Sequence, residues 1–133
     1  MSKELLDKYT WMAEQNAFAK HTNITITDIE LSGASACCDL TPELMNVYGY
    51  AHGGVYFTLA DTCAGFSARA DGRRYVTRQA NTYYVSAANS GRIYAKGTVK
   101  QRSRKFCLVD VEVTDESGKL LTHGSFDYYC LDD

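Results

Sequence analysis

The sequence predicts an α+β domain in which a long antiparallel sheet curves around one central helix, with a further helix at the N-terminus. Two observations carry this. First, a stretch beginning at Asn46 opens as a glycine-bearing loop and continues as a helix that has no polar face. Leu59, Cys63 and Phe66 recur at helical spacing, Ala60, Ala64 and Ala68 form a second row of small residues, and Asp61 is the only charge between His52 and Arg69. Second, the chain after Gly72 is a series of alternating segments joined by short turns, which force antiparallel pairing. A helix apolar on most sides, in a chain with this much strand, has to be wrapped by the sheet.

The elements follow in order. Lys3 to Ala19 reads as one helix with Leu5, Leu6, Tyr9, Met12 and Ala13 on its apolar face and Ser2 as a cap, packed outside the domain or on a neighbouring subunit. Ile24–Ile29 is rich in β-branched residues and predicts a strand. A turn at Ser32–Gly33 leads to a weaker strand, Ala34–Leu40. Thr41 and Pro42 suit the cap and first position of a short helical turn. The central helix ends near Arg69–Gly72, with Gly72 as its stop. Tyr75–Ala87 is the next strand, and Asn89–Ser90–Gly91 reads as a tight turn into Arg92–Gln101. In that strand Ile93, Ala95, Gly97 and Val99 share one face. Phe106–Thr114 places Val109, Val111 and Val113 opposite Asp110 and Glu112, and Glu116–Ser117–Gly118 turns the chain into a last strand, Lys119–Cys130. This is the description of a hotdog fold, and the absence of a linker or repeat predicts a single domain over residues 1–133.

Composition removes several function classes. With 45% hydrophobic and 23% charged residues the chain is in the globular range, so disorder is not expected. A net charge of −2 argues against nucleic acid or a membrane surface as partner. No apolar run reaches the roughly 20 residues of a membrane span, and charges interrupt the apolar residues of Met1–Asp7, so no signal-peptide core is present. The five cysteines (37, 38, 63, 107 and 130) are odd in number and lack zinc-site spacing. They read as small buried hydrophobes in a reducing compartment, which predicts a cytoplasmic, metal-free protein.

The loop and helix hold the candidate chemistry. A lone carboxylate, Asp61, inside an apolar helix is costly unless something pairs with it or uses it. Gly53 and Gly54 carry no side chain to keep a reactive group from the free N–H groups at the helix start. The spaced set Asn46, Gly49, His52–Gly53–Gly54 and Leu59–Ala60–Asp61 resembles the signature of PaaI-type hotdog thioesterases, relatives of the phenylacetate-pathway and 4-hydroxybenzoyl-CoA enzymes. The similarity extends over roughly Ala34–Cys130 and includes Gly91–Arg92–Ile93, Lys100–Gln101–Arg102 and Val111–Asp115.

The resemblance implies hydrolysis of an acyl- or aryl-acyl-CoA thioester, with no cofactor beyond the coenzyme A of the substrate, by dimers that pair into tetramers. It makes Asp61 the nucleophile or general base and the Gly53 backbone N–H the group that polarises the carbonyl. Asn46 and His52 orient thioester or water, and Thr77 helps hold water or substrate. Gly54 and Thr62 are expected beside the substrate, with Arg102, Arg104 and Lys105 as a basic patch for the coenzyme A phosphates. The chain has Ala87–Ala88 where the family often has proline, and its 102–105 segment is unusually basic, so the acyl group stays open.

The chemistry fits these residue types. Thioester hydrolysis builds charge on the carbonyl oxygen, and N–H groups at a helix start, backed by the helix dipole, are suited to hold it. Asp61 lies eight residues beyond Gly53, so at ~1.5 Å rise the two are roughly 12 Å apart. Both must stand ~3 Å from one reacting group. One helix cannot supply both, which predicts a homodimer with two shared sites. The competing readings are structural or non-catalytic. Asp61 could pair with Arg69 or Arg78, His52 could merely cap the loop, Asn46 could hold a turn, and the fold could bind acyl-CoA without cleaving it. A hotdog dehydratase would need a histidine near the acid, and none occurs between Gly53 and Asp71.

Overall fold

A computed structural model describes residues 3–133. Ser2, expected as a cap, and the side chain of Leu5, expected on the apolar face, lie outside the described residues. The elements are α1 (Lys3–Glu14), α2 (Ala17–His21), β1 (Ile24–Glu30), β2 (Gly33–Asp39), a 3-10 turn (Pro42–Leu44), α3 (Gly53–Arg69), β3 (Tyr75–Tyr84), β4 (Arg92–Arg102), β5 (Phe106–Thr114) and β6 (Leu120–Cys130). The six strands form one sheet in the order β1-β2-β4-β5-β6-β3, every pair antiparallel. Helix α3 lies in its concave face. Leu59, Cys63 and Ala64 of α3 are buried together with Ile93 and Ala95 of β4, Val109, Val111 and Val113 of β5 and Phe126 of β6. The hotdog architecture predicted from the sequence is the one observed.

Three expectations need correction. The N-terminal helix is two helices, because the Asn16 side chain accepts from the Ala19 N–H at 3.1 Å and caps a new start. The second helix, α2, ends at His21. The turn at Asn89–Ser90–Gly91 does not join neighbouring strands, since β4 pairs with β2 and β5 while β3 sits at the far edge beside β6. The chain leaves the sheet after Tyr84. Val85 and Ser86 both donate to the Leu121 carbonyl, the Ala88 N–H donates to the Tyr56 hydroxyl at 3.0 Å, and the Ala88 carbonyl accepts from Ala51 at 2.8 Å. These bonds carry it past the start of α3 to the opposite side of the sheet.

The third correction concerns α3 itself, which is not wrapped on every side. Gly54, Phe57, Thr58, Asp61 and Thr62 form a stripe at helical spacing that is only half-buried or exposed. The C-terminal half is sealed instead. The Arg69 carbonyl accepts from the Tyr9 hydroxyl of α1, and Tyr9 packs edge-on against Phe66 with ring centroids 6.3 Å apart. Ser67, fully buried, donates to the Cys63 carbonyl at 2.9 Å and accepts from the Ala34 N–H at 2.8 Å. Gly97 of β4 permits this, because a Cβ there would stand 2.4 Å from the Ser67 hydroxyl.

Candidate active site

The open stripe of α3 begins at a helix start with an unused donor. His52 is the N-cap, and its Nδ1 accepts from the Gly54 N–H at 2.9 Å. That bond takes up the Gly54 donor, and the Val55 N–H donates to the His52 carbonyl at 2.8 Å. Among the described residues the Gly53 N–H finds no acceptor. It therefore remains available at the positive end of a 17-residue helix. Tyr84 of β3 closes one side of this point, donating its hydroxyl to the Gly53 carbonyl at 3.2 Å.

Asn46 shapes the preceding loop. Its Oδ1 accepts from the Tyr48 and Tyr50 N–H groups at 2.9 and 3.1 Å, and its own N–H donates to the Tyr50 carbonyl. These bonds fold the Asn46–Tyr50 loop back on itself, with Gly49 at φ 82°. Only the amide nitrogen of the side chain is left for a ligand. Tyr48 and Tyr50, both exposed, project from this loop.

At the other end of the stripe, Asp61 is held by a small donor cluster. Its Oδ1 accepts from the Thr77 hydroxyl at 2.9 Å and from the Tyr128 hydroxyl, which also reaches the Asp61 backbone carbonyl at 2.5 Å. Thr77 and Tyr128 are register partners on β3 and β6, so their side chains stand side by side and reach the same oxygen. A bulge at Arg78 shifts the register directly after Thr77. Among the described residues Asp61 has no cationic partner. Arg78 pairs with Asp127 at 2.6 Å, and Arg69 donates to the Tyr75 carbonyl at 3.0 Å. The two arginines considered as structural partners of Asp61 are thus engaged elsewhere. Thr62 adjoins Asp61 on the stripe, half-buried.

The structure does not bring the basic residues together. Arg102 turns inward and donates to the carbonyls of Leu31, Ser67 and Ala68 at 3.0, 2.8 and 3.2 Å. Its Nε stands 3.4 Å from Asp71. It ties β4 to the end of α3 and is not placed to meet a phosphate, contrary to the sequence expectation, because that helix end needs donors for its last carbonyls. Lys105 reaches the Asp132 carbonyl at 3.2 Å and the Asp133 carboxylate at 3.3 Å. Arg104 keeps an exposed side chain.

The cysteines offer no rival nucleophile on the helix. Burial pushes the Cys63 thiol up to about 12 and the Cys38 thiol up to about 11. No group of three or more His, Cys, Asp or Glu side chains is placed to hold a metal among the described residues, and no helix there is long and apolar enough to cross a membrane. A cavity of about 260 Å³ adjoins the helix start, lined by Phe18, Leu44, Met45, His52, Val55 and Thr58. A larger groove of about 570 Å³ crosses the outer face of the sheet between Tyr83, Lys96, Glu112 and His123. It is on the side away from α3, so it is not part of this site.

Sequence reasoning missed Tyr128. The signal was present, since alternation in the last strand turns Phe126, Tyr128 and Cys130 to the same side, and an inward tyrosine needs a partner for its hydroxyl.

Comparison with known proteins identifies the family. The model of the thioesterase superfamily matches residues 48–122. Acyl-coenzyme A thioesterase PaaI of Escherichia coli is 24% identical over 109 residues, covering 81% of this chain and 78% of that protein. Its solved structure superposes with a TM-score of 0.92 over 98% of this chain and 96% of the other, at 20% identity. The Mycobacterium tuberculosis protein Rv1847, provisionally named an esterase, is 28% identical over 113 residues, covering 80% of this chain and 81% of that one. Its structure gives a TM-score of 0.83, covering 87% and 97% of the two chains. A hypothetical thioesterase of Streptococcus pneumoniae, solved with coenzyme A, is 26% identical with a TM-score of 0.79, covering 84% and 90%.

Proposed function

This chain belongs to the thioesterase superfamily, and from that premise we propose that it is a PaaI-type enzyme that hydrolyses an acyl- or aryl-acyl-CoA thioester to the free acid and coenzyme A, at sites shared between two copies of the chain. The observation that carries this is the Asp61 carboxylate, held by Thr77, free of any cation among the described residues, on the same open stripe of α3 as the unused Gly53 donor.

The need for two copies follows from distance. Gly53 and Asp61 are separated by eight residues of one continuous helix, about 12 Å at ~1.5 Å per residue. A nucleophile or base and an oxyanion donor have to converge within ~3 Å of the reacting group. Strand β3 supports a way to bring them together. It is an edge strand with an unpaired side. Thr77, beside Asp61, lies near one end and Tyr84, beside Gly53, lies at the other. Antiparallel pairing of two such edges about a two-fold axis midway between these residues sets Thr77 across from Tyr84 of the partner subunit. Asp61 then faces Gly53 of the partner subunit, and the α3 stripes cover one another. The resemblance extends this to a dimer of such dimers.

The chemistry assigned to this arrangement is hydrolysis. The thioester oxygen accepts from the Gly53 N–H, which stabilises the charge that forms on it. Asp61 either takes a proton from the attacking water or attacks the carbonyl carbon itself to form an anhydride that water then opens. In both routes the C–S bond breaks, one water is consumed to give the free acid, its oxygen entering the acid directly or the Asp61 carboxylate in exchange, and the sulfur leaves as the thiol with the remaining proton. His52 and Asn46 shape the loop that presents the Gly53 donor. Of the expected basic residues, Arg104 keeps an exposed side chain with no partner among the described residues and is the one assigned to a phosphate.

Release of free thiol from a panel of acyl-CoA substrates tests the activity, and Asp61→Asn tests the assignment. Loss of turnover in a folded Asp61→Asn protein is expected. Unchanged turnover would remove Asp61 from the reaction.

A further inference from the structure

On the footing of the hydrolysis proposed above, we infer that Tyr128 is a positioning residue: with Thr77 it pins one oxygen of the Asp61 carboxylate and leaves the other as the single oxygen offered to water or substrate. Both donors converge on Oδ1, the Tyr128 hydroxyl bridging it and the Asp61 backbone carbonyl, and Oδ2 has no partner among the described residues. A carboxylate on a two-bond side chain rotates freely unless something fixes it, and a reacting oxygen has to be held to a fraction of an ångström. Two hydroxyls from adjacent strands, in register, fix both the rotation and the tilt of the group.

Two further features support this role. Gly65 lies one turn beyond Asp61 in the buried part of α3, where glycine is a poor helix former. A Cβ there would stand 3.3 Å from the Tyr128 hydroxyl and 2.6 Å from Arg69 Nη1. The missing side chain leaves the room through which Tyr128 reaches the helix. The phenol also stays a donor. Burial first, and then the charge and hydrogen bond of Asp61, push its ionisation well above the ordinary range.

Substitution of Tyr128 by phenylalanine removes the hydroxyl and keeps the ring in the core. Tyr128→Phe is expected to lower kcat roughly tenfold, the scale of one hydrogen bond to a charged group, with KM within about twofold of the parent. A role confined to holding the fold would lower the melting temperature without this split between kcat and KM. Gly65→Ala leaves the β6 sequence unchanged, pushes the Arg69 guanidinium aside and crowds the Tyr128 hydroxyl. It is expected to lower kcat as well, with a combined effect in the double variant smaller than the product of the two. Wild-type kcat in folded Tyr128→Phe, or a loss carried by KM and not by kcat, overturns the inference and leaves the hydrolysis standing. Full turnover by Asp61→Asn alone overturns the hydrolytic assignment itself.

Discussion

Replacing Gly53 by proline removes one hydrogen-bond donor and almost nothing else. Gly53 is the first residue of α3, the position where proline is most at home in a helix because its missing N–H has no intrahelical acceptor. The residue before a proline is confined to extended conformations, and His52 is already there, at φ −61° and ψ 141°. Space is available too, since a Cβ at 53 meets only the Tyr84 ring at 3.6 Å, an ordinary contact. The cap from Gly54 to His52 does not involve the deleted group. The fold is therefore expected to survive, and a stiffer unfolded chain would favour it by up to ~1 kcal/mol. If the Gly53 N–H holds the developing oxyanion, kcat falls by roughly 10² to 10³, or about 2.7–4 kcal/mol of barrier. Thiol release measured beside thermal unfolding separates the two effects. A folded Gly53→Pro protein that turns over within about threefold of the parent would refute the oxyanion assignment.

Three other outcomes are expected. Asp61→Asn and Gly53→Pro chains, each inactive alone, should regain roughly a quarter of parental turnover when unfolded together in equal amounts and refolded. Half of the dimers are then mixed, and each mixed dimer carries one complete site of its two; a site contained in one chain would regain nothing. Arg102→Met should lower the melting temperature by several degrees, about 1–3 kcal/mol for the carbonyls it leaves unpaired, yet leave KM for acyl-CoA unchanged, since Arg102 faces the end of α3. Asp71 gives a pH signature. Burial alone would raise its ionisation, but hydrogen bonds from Tyr75 and Arg73 and the charge of Arg73 outweigh it and hold the carboxyl below its usual value of 3.8. A depressed carboxyl contributes stability above the unfolded-state value and loses it as the pH falls through the folded one. Thermal unfolding scanned from pH 6 down to pH 2 should therefore fall less steeply below about pH 4 in Asp71→Asn than in the parent.

The parts of the fold that were legible in the chain are those set by local pattern. The central helix showed itself because Leu59, Cys63, Phe66 and the alanine row leave no polar face, and Phe106–Thr114 came out with the observed ends because Val109, Val111 and Val113 alternate without a break. Pairing across the sheet was not legible. Nothing local in Asn89–Ser90–Gly91 distinguishes a hairpin from a corner, and β3 finds its neighbour in β6, far along the chain. The candidate site divides in the same way. Asp61, Gly53 and His52 are close in sequence on one loop and helix, whereas Tyr128 joins them only through strand register. Arg102 shows the limit for charges: a basic run looks alike whether it faces solvent or caps a helix.

The place of β3 at the sheet's edge also orders events in time. As the chain emerges from a ribosome, β1 and β2 can pair at once, and β4 and β5 can follow. The strand bearing Thr77 has no neighbour until β6 has been made. Pairing of β3 with β6 is the step that sets Thr77 and Tyr128 against Asp61. Catalytic competence is thus among the last properties the chain acquires, and lesions anywhere in β6 should weaken activity before they dissolve the rest of the sheet.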